Sequence, residues 1–408
     1  MTKSKKMVRC NRCGTSHVKE KVKIINKKLS FYYCPRCISL NRVTSYNQLY
    51  FMTQKSTLKQ HNQNHKMEWS GKLTSSQAKI SGNLLTAYNQ RQKKHLISAV
   101  TGAGKTEILF ALIERVLSEG KTIGVASPRV DVCLELYPRF KSAFPKTDIV
   151  LLYGQQPIYN KSSFFVCTTH QLLRFYKMFD VLIVDEVDSF PYADSEFLKY
   201  GTKKSLKRRG LLIYLTATPT KRLMAEFSSD KQVSFLSKRF HGFPLPVPQI
   251  IWCRAIMKKI GCGKLPSKLC KLLNNQDKHL LIFLPSIKKM KQFYKLIAVQ
   301  FPDKRIAMVH AASNKREAIV LSMRNNQIDW LLTTTILERG VTFPGIDVLV
   351  VQANHSVFTM STLVQISGRV GRSPDYPTGN IYFVHDGISL DMKRAKKFIE
   401  SMNGDESI

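Results

Sequence analysis

The sequence predicts an α/β protein: two parallel-sheet lobes preceded by a small four-cysteine metal module. Three observations carry this expectation. Strand-like apolar runs alternate with helical patterns from Trp69 onward. Two such series are separated by His241-Gly-Phe-Pro-Leu-Pro-Val-Pro248, a stiff segment that no helix tolerates. Near the N-terminus, Cys10-x2-Cys13 and Cys34-x2-Cys37 stand twenty residues apart. The expected boundaries are 1–45 for the module, 46–68 for a polar linker, 69–240 for the first lobe, 241–248 for the proline-rich linker and 249–408 for the second lobe.

The cysteine pairs have the spacing of a four-cysteine zinc site. Each Cys-x-x-Cys turn presents two thiolates to one tetrahedral ion, and Gly14 suits the tight turn after the first pair. Val22, Ile24, Phe31 and Tyr33 read as a hairpin between the turns. Such a segment has too little core to fold alone, so bound metal supplies much of its stability. A redox pair would need only one Cys-x-x-Cys in a βαβ setting. The other cysteines, Cys133, Cys167, Cys253, Cys262 and Cys270, lack paired spacing and read as core or free thiols. His61 and His65 are four apart in a polar stretch and read as exposed.

In the first lobe, strands are expected to end near Val100, Ser127, Cys167, Val184 and Leu215. Helices are expected at Ile108 to Ser118, Asp131 to Phe140, Gln171 to Tyr176 and Glu196 to Lys203. This alternation argues for a parallel sheet wrapped by helices, with ligands at the carboxyl ends of the strands. Residues 99–106, Ala-Val-Thr-Gly-Ala-Gly-Lys-Thr, stand at one such end. Thr101, Gly102, Ala103 and Gly104 form a phosphate cradle, the glycines letting backbone N–H groups approach a triphosphate. Lys105 places charge on the β- and γ-phosphates, and the Thr106 hydroxyl can coordinate Mg²⁺. Eighty residues after Lys105, a second apolar strand ends Asp185-Glu186-Val187-Asp188. Asp185 can hold Mg²⁺ and Glu186 can polarise an attacking water. Together these segments mark a nucleotide triphosphatase.

The second series has strand candidates at Leu280 to Leu284, Ile306 to Val309, Trp330 to Thr333, Val348 to Val351 and Ile381 to Val384. It has no phosphate loop. It carries Gln365-Ile-Ser-Gly-Arg369-Val-Gly-Arg372, whose two arginines can reach a γ-phosphate as arginine fingers.

Composition narrows the partner. The chain has 408 residues, 43% hydrophobic, with 64 Lys and Arg against 28 Asp and Glu, a formal charge of +36. That is globular rather than disordered and implies a polyanionic partner, nucleic acid before an anionic membrane. Residues 1–42 alone hold twelve Lys or Arg and one acid, Glu20. Phe31, Tyr32 and Tyr33 lie among them, as suits single-stranded nucleic acid or a small core. No apolar leader follows Met1 and no run reaches spanning length, so a cytosolic protein is expected.

Several segments resemble the motifs of superfamily 2 helicases, in order: Ala99-x-x-Gly102-x-Gly104-Lys105-Thr106 (I), Asp185-Glu186-Val187-Asp188 (II), Thr216-Ala217-Thr218-Pro219 (III), Thr335-x-x-Glu338-Arg339-Gly340-Val341-Thr342 (V) and Gln365-x-x-Gly368-Arg369-x-Gly371-Arg372 (VI). The resemblance spans residues 70–390. It implies two RecA-like lobes with ATP between them and single-stranded nucleic acid across their tops. Motifs I to III fall in the first lobe, and motifs IV to VI in the second. It also implies that Gln77, in Leu73-Thr74-x-x-Gln77, reads the adenine, and that Gly340 contributes to the nucleotide site. Gln365 and Ile366 replace the histidine and arginine of DEAD-box RNA helicases, which, with Asp188, leans toward DNA motors.

The N-terminal cysteines, the segment Trp69-Ser70-Gly71-x-Leu73-Thr74 and the total length further resemble the ComFA family of late competence ATPases. That resemblance implies ATP-driven import of transforming single-stranded DNA at the cytoplasmic face of the membrane, with peripheral membrane association. It further implies contact with a phosphoribosyltransferase-like companion and other DNA-uptake proteins. Oligomerisation is compatible with this picture. Thr168-Thr169 and Thr334-Thr335 are candidate strand grips, and Thr216 and Thr218 candidate couplers. Two rivals are a primosomal-type replication-restart helicase, whose cysteines sit within or after the motor, and an ATP-gated nucleic-acid clamp without net movement.

Overall fold

Parallel strands dominate the computed structural model, which describes residues 1–26, 29–51, 65–154, 162–227, 229, 232–313, 315–337 and 343–404. The chain divides into two units: Met1–Ser98 with Lys105–Phe235, and Ala99–Gly104 with Leu236–Ile408. Gly340 and its neighbours Glu338 to Thr342 lie outside the described residues, as does His61.

The first unit contains a seven-stranded sheet in the order Val233–Leu236, Lys94–Ala99, Leu206–Thr216, Phe179–Val184, Ile123–Ser127, Phe164–Thr168, Ile149–Leu152. The registered pairs from Lys94–Ala99 to Ile149–Leu152 are parallel. The central strands are apolar on both faces and almost wholly buried, as a sheet covered on both sides requires. Phe165, Phe175 and Phe179 pack edge-to-face on one side of the core. Ile149–Leu152 and Val233–Leu236 had no sequence expectation; they are four-residue strands at the two ends of the sheet order. The expected helix Gln171 to Tyr176 is only a 3-10 turn, Gln171–Arg174, because Phe175 is already extended on the way to the next strand.

The helix Ser75–Asn89 opens with a capping box. Thr74 Oγ1 accepts from the Gln77 N–H (3.3 Å), and Gln77 Oε1 accepts from the Thr74 N–H (2.8 Å). Trp69 packs edge-on to Phe110, fixing the chain entry. His65 is half-buried rather than exposed, because its Nδ1 lies 3.1 Å from Thr147 Oγ1 on the first unit.

At the N-terminus a three-stranded antiparallel sheet (Thr2–Lys3, Met7–Arg9, Ser16–Val18) and a hairpin (Lys23–Asn26, Leu29–Tyr32) frame the cysteines. The module docks on the helix Glu196–Ser205. The Tyr200 ring lies 2.8 Å from where a Gly14 Cβ would sit, so only glycine fits there. Lys204 Nζ donates to the carbonyls of Arg12 (2.7 Å) and Leu173 (2.8 Å). Burial, then the charge of Arg12, pulls the Lys204 ammonium down to about 8. Leu173 shares one apolar cluster with the four cysteines.

The second unit carries a six-stranded parallel sheet in the order Gln249–Trp252, Ile381–His385, Ile346–Val351, His279–Phe283, Trp330–Thr333, Ile306–Val309. Trp330, Phe293 and Phe283 are fully buried around it. The segment after Gly242 has no regular structure as far as Pro248. Asn403 holds it by mimicking a strand partner: its Oδ1 accepts from the Leu245 N–H (2.7 Å) and its Nδ2 donates to the Leu245 carbonyl (2.8 Å). No helix among the described residues is long and apolar enough to cross a membrane.

Candidate active site

Parallel register aligns the carboxyl ends of three strands along one edge of the seven-stranded sheet. Strand Leu206–Thr216 lies between Lys94–Ala99 and Phe179–Val184, with Thr216 opposite Ser98 and Tyr214 opposite Val184. The phosphate loop, the acids and Thr216 to Thr218 therefore leave three neighbouring strands at their carboxyl ends, where open parallel sheets bind ligands.

Lys105 is half-buried and Thr106 is buried at the start of the helical run. Arg139 Nη1 donates to Thr106 Oγ1 (3.2 Å), which leaves the hydroxyl its own proton and a second lone pair. Sequence reasoning missed Arg139, since nothing local links position 139 to 106.

The acidic pair is built on strained backbone. Glu186 has φ +54°, left-handed space that a non-glycine residue rarely occupies. Three hydrogen bonds hold it there. The Glu186 N–H donates to Asp185 Oδ1 (2.8 Å), the Val187 N–H to the Leu215 carbonyl (3.2 Å) and the Ser189 N–H to the Glu186 carbonyl (2.8 Å). Ser189 Oγ donates to Glu186 Oε2 (3.3 Å). The left-handed turn breaks the strand alternation at the second acid.

Asp188 joins two motifs. Thr216 Oγ1 donates to its Oδ1 and Thr218 Oγ1 to its Oδ2, both at 2.8 Å, while the Thr218 N–H donates to Thr216 Oγ1 (3.0 Å). Two threonines on either side of Ala217 thus grip both oxygens of one carboxylate. Thr168 and Thr169 are buried. Thr334 and Thr335 are half-buried.

In the second unit, the loop Ala99–Gly104 groups with residues of the sixth motif. Gly102 and Gly104 have φ +81° and +71°, the positive values that free their N–H groups to face a phosphate. A Cβ on Gly368 would fall on the Thr101 hydroxyl, so that position must be glycine for the helix Met360–Ser367 to approach the loop. A Cβ on Gly102 would lie 3.6 Å from Arg372 Cγ and 3.7 Å from Arg239 Cγ and Nε. Arg369 and Gln365 are buried and Arg372 is half-buried. Arg239 had no signal in the sequence, lying in a Lys-Arg-Phe before the proline segment that matches no motif.

The four cysteines are buried, with all sulfurs within 4.8 Å of one another. Cys10 and Cys37 Sγ are 3.9 Å apart, and Cys13 and Cys34 Sγ 3.6 Å. A disulfide needs about 2.05 Å. A tetrahedral zinc with bonds of about 2.3 Å sets its sulfurs about 3.8 Å apart, so the donor set fits that ion. His17 Nε2 lies 3.3 Å from Cys34 Sγ, a contact suited to steadying a ligating thiolate and absent from the sequence reading. Hydrogen bonds from Cys10, then Cys34 and Cys37, hold the Cys13 thiol far below its ordinary value. Cys10 and Cys13 drive Cys34 and Cys37 up. The cluster shares protons that a cation would displace.

Replacing Cys34 and Cys37 together with serine is expected to lower bound zinc from about one per chain to near zero by elemental analysis. Because Leu173 and the helix Glu196–Ser205 share the module's core, protease protection should fall there as well as in residues 1–45. Zinc retained by that variant would refute the ligand set.

Residues 70–221 match the family model described as "Type III restriction enzyme, res subunit", and residues 264–374 match "Helicase conserved C-terminal domain". Competence protein ComFA of Streptococcus pneumoniae (strain ATCC BAA-255 / R6) is 43% identical over 99% of this chain and 92% of its own length. ComFA of Bacillus subtilis (strain 168) is 37% identical over 98% of this chain and 86% of its own. Among solved structures, S. cerevisiae Dbp5 bound to RNA and ADP BeF3 matches with TM-score 0.59 at 17% identity, covering 82% of this chain and 89% of that one. RecG bound to a three-way DNA junction matches with TM-score 0.57 at 18% identity, covering 85% and 51%. These two likenesses carry the fold: each parallel sheet is a RecA-like lobe. The helicase domains make the chain an ATP-hydrolysing, nucleic-acid-binding enzyme of superfamily 2 that uses a divalent metal. By identity over nearly its full length, it belongs to the ComFA family of competence proteins.

Proposed function

We propose that the chain is an ATP-driven translocase of single-stranded DNA that draws in transforming DNA during natural competence. The supporting observation is the convergence at one sheet edge of the phosphate loop, the acidic pair and the Asp188–Thr216–Thr218 bonds, in a chain of charge +36. In this reading Lys105 and residues 101–104 hold the phosphates, and Thr106 and Asp185 hold Mg²⁺. Gln77 meets the adenine. Glu186 takes the proton of the attacking water, Arg369 and Arg372 neutralise charge at the terminal phosphate, and Gly340 completes the nucleotide site. Asp188 passes the loss of that phosphate to Thr216 and Thr218, and so to the grip on the strand. Zinc bound by Cys10, Cys13, Cys34 and Cys37 shapes the basic N-terminal module. The family reading adds a phosphoribosyltransferase-like companion and other uptake proteins at the cytoplasmic face of the membrane.

Single-stranded DNA should stimulate hydrolysis, and its affinity should fall about 10³-fold or more between about 50 and 200 mM salt, as several phosphate contacts require. A labelled strand end followed during turnover is expected to move. Turnover without displacement would make the protein a clamp, and stimulation by duplex RNA alone would overturn the DNA assignment.

A further inference from the structure

Arg239 is a buried cation whose donors are largely unmet. The residue is 2% exposed. Nη1 donates to the Gly371 carbonyl, while Nε and Nη2 have no hydrogen-bond partner among the described residues. Its Nε lies 3.7 Å from the position a Cβ on Gly102 would take, beside Arg372. The two residues that follow fix this placement. The N–H of Phe240 donates to the Gly102 carbonyl (3.2 Å), and His241 Nε2 lies 3.1 Å from the same Gly371 carbonyl that Arg239 holds.

A guanidinium stays charged in proteins, and burying it without an anion is strongly unfavourable. Here a second guanidinium makes matters worse. Burial, then the charge of Arg372, pulls Arg239 down to about 10. Such a site is built for an anion, and the adjacent loop has left-handed glycines whose N–H groups serve the same purpose. Arg372 has a motif to mark it, whereas Arg239 is placed there only by the fold.

We propose that Arg239 is a nucleotide ligand that binds the terminal phosphate of ATP through Nε and Nη2, beside Arg372. The proposal rests on the ATP hydrolysis of this family and not on translocation. Arg239 is forked and preorganised by its bond to Gly371, so two parallel charge-assisted bonds to one phosphate are available to it.

The test measures thermal stabilisation of the full-length protein by Mg²⁺ with a non-hydrolysable ATP analogue, and separately with ADP. For Arg239→Met, affinity for the analogue should fall about 10- to 100-fold, the loss of one or two bonds to a charged group. Affinity for ADP should change less than about threefold, and the nucleotide-free melting temperature should hold or rise, since an unpaired buried charge has gone. A lower nucleotide-free melting temperature with unchanged analogue affinity would overturn the proposal and make Arg239 a pin for Gly371. Equal losses for analogue and ADP would overturn the terminal-phosphate assignment. If Arg239→Met does not fold, Arg239→Lys keeps charge and length but not the fork, and unchanged analogue affinity in it would also overturn the proposal. Lys105→Ala is the control. If it left both nucleotides bound, the phosphate loop itself would be misassigned, a failure distinct from that of Arg239.

Discussion

Glu186→Gln is expected to stop ATP hydrolysis while ATP and single-stranded DNA stay bound. The substitution is nearly isosteric. An amide oxygen can still accept from Ser189 Oγ, and the hydrogen bonds that hold φ at +54° do not involve the Glu186 side chain. In the proposed role, what is lost is the negative charge that polarises water and accepts its proton. A positioned general base contributes about 10²- to 10⁴-fold, so phosphate release should fall by that factor. Equilibrium binding of a fluorescent ATP analogue should barely change. Lys105→Ala should do the reverse and abolish binding. Near-normal phosphate release from the Glu186 variant would remove Glu186 from the role of base.

The left-handed turn at Glu186 gives the two neighbouring acids different backbone settings. Asp185 accepts the N–H of the next residue at the end of its strand. Glu186 itself takes the left-handed torsion. Strain of this kind costs about 1–3 kcal/mol and persists only where the surroundings over-determine it. Here the Leu215 carbonyl and Ser189 do so. No sequence pattern announces a positive φ at a glutamate. Asp-Glu-x-Asp after an apolar strand was legible as a motif, and the torsion at its second acid came only with the fold.

The same contrast runs through the molecule. Buried central strands such as Phe179–Val184 are nearly continuous apolar runs, and their ends were legible within a residue or two. Short strands such as Gln249–Trp252 carry mixed patterns and are defined by their neighbours rather than their own residues. Local chemistry revealed the cysteine set because four thiols at paired spacing have few other uses. His17, Arg139 and Arg239 were invisible because each meets its partner through tertiary structure: His17 with Cys34, Arg139 with Thr106, Arg239 with Gly371. Asp188 was visible as a residue, and Thr216 and Thr218 as a motif. That one carboxylate binds both hydroxyls required the adjacency of strands Phe179–Val184 and Leu206–Thr216.

Arg372→Ala is expected to lower turnover about 10³-fold or more with a much smaller loss of ATP affinity. A finger arginine meets charge that builds at the terminal phosphate as the bond breaks, so its contribution is larger in the transition state than in the bound complex. The surroundings sharpen this asymmetry. Arg372 stands beside Arg239 at the Gly102 turn, and the charge of Arg372 disfavours that of Arg239. Removing Arg372 relieves Arg239 of that repulsion and leaves it to hold the phosphate in the ground state. Affinity is therefore buffered while catalysis is not. Gly371 should remain in place, because its left-handed φ of +65° and the nearby Pro377 carbonyl constrain the turn independently of the Arg372 side chain. Single-turnover hydrolysis set against equilibrium binding of the same nucleotide measures both quantities. Equal losses in the two would make Arg372 a ground-state ligand, and the finger role would then fall to Arg369, which is buried three residues earlier.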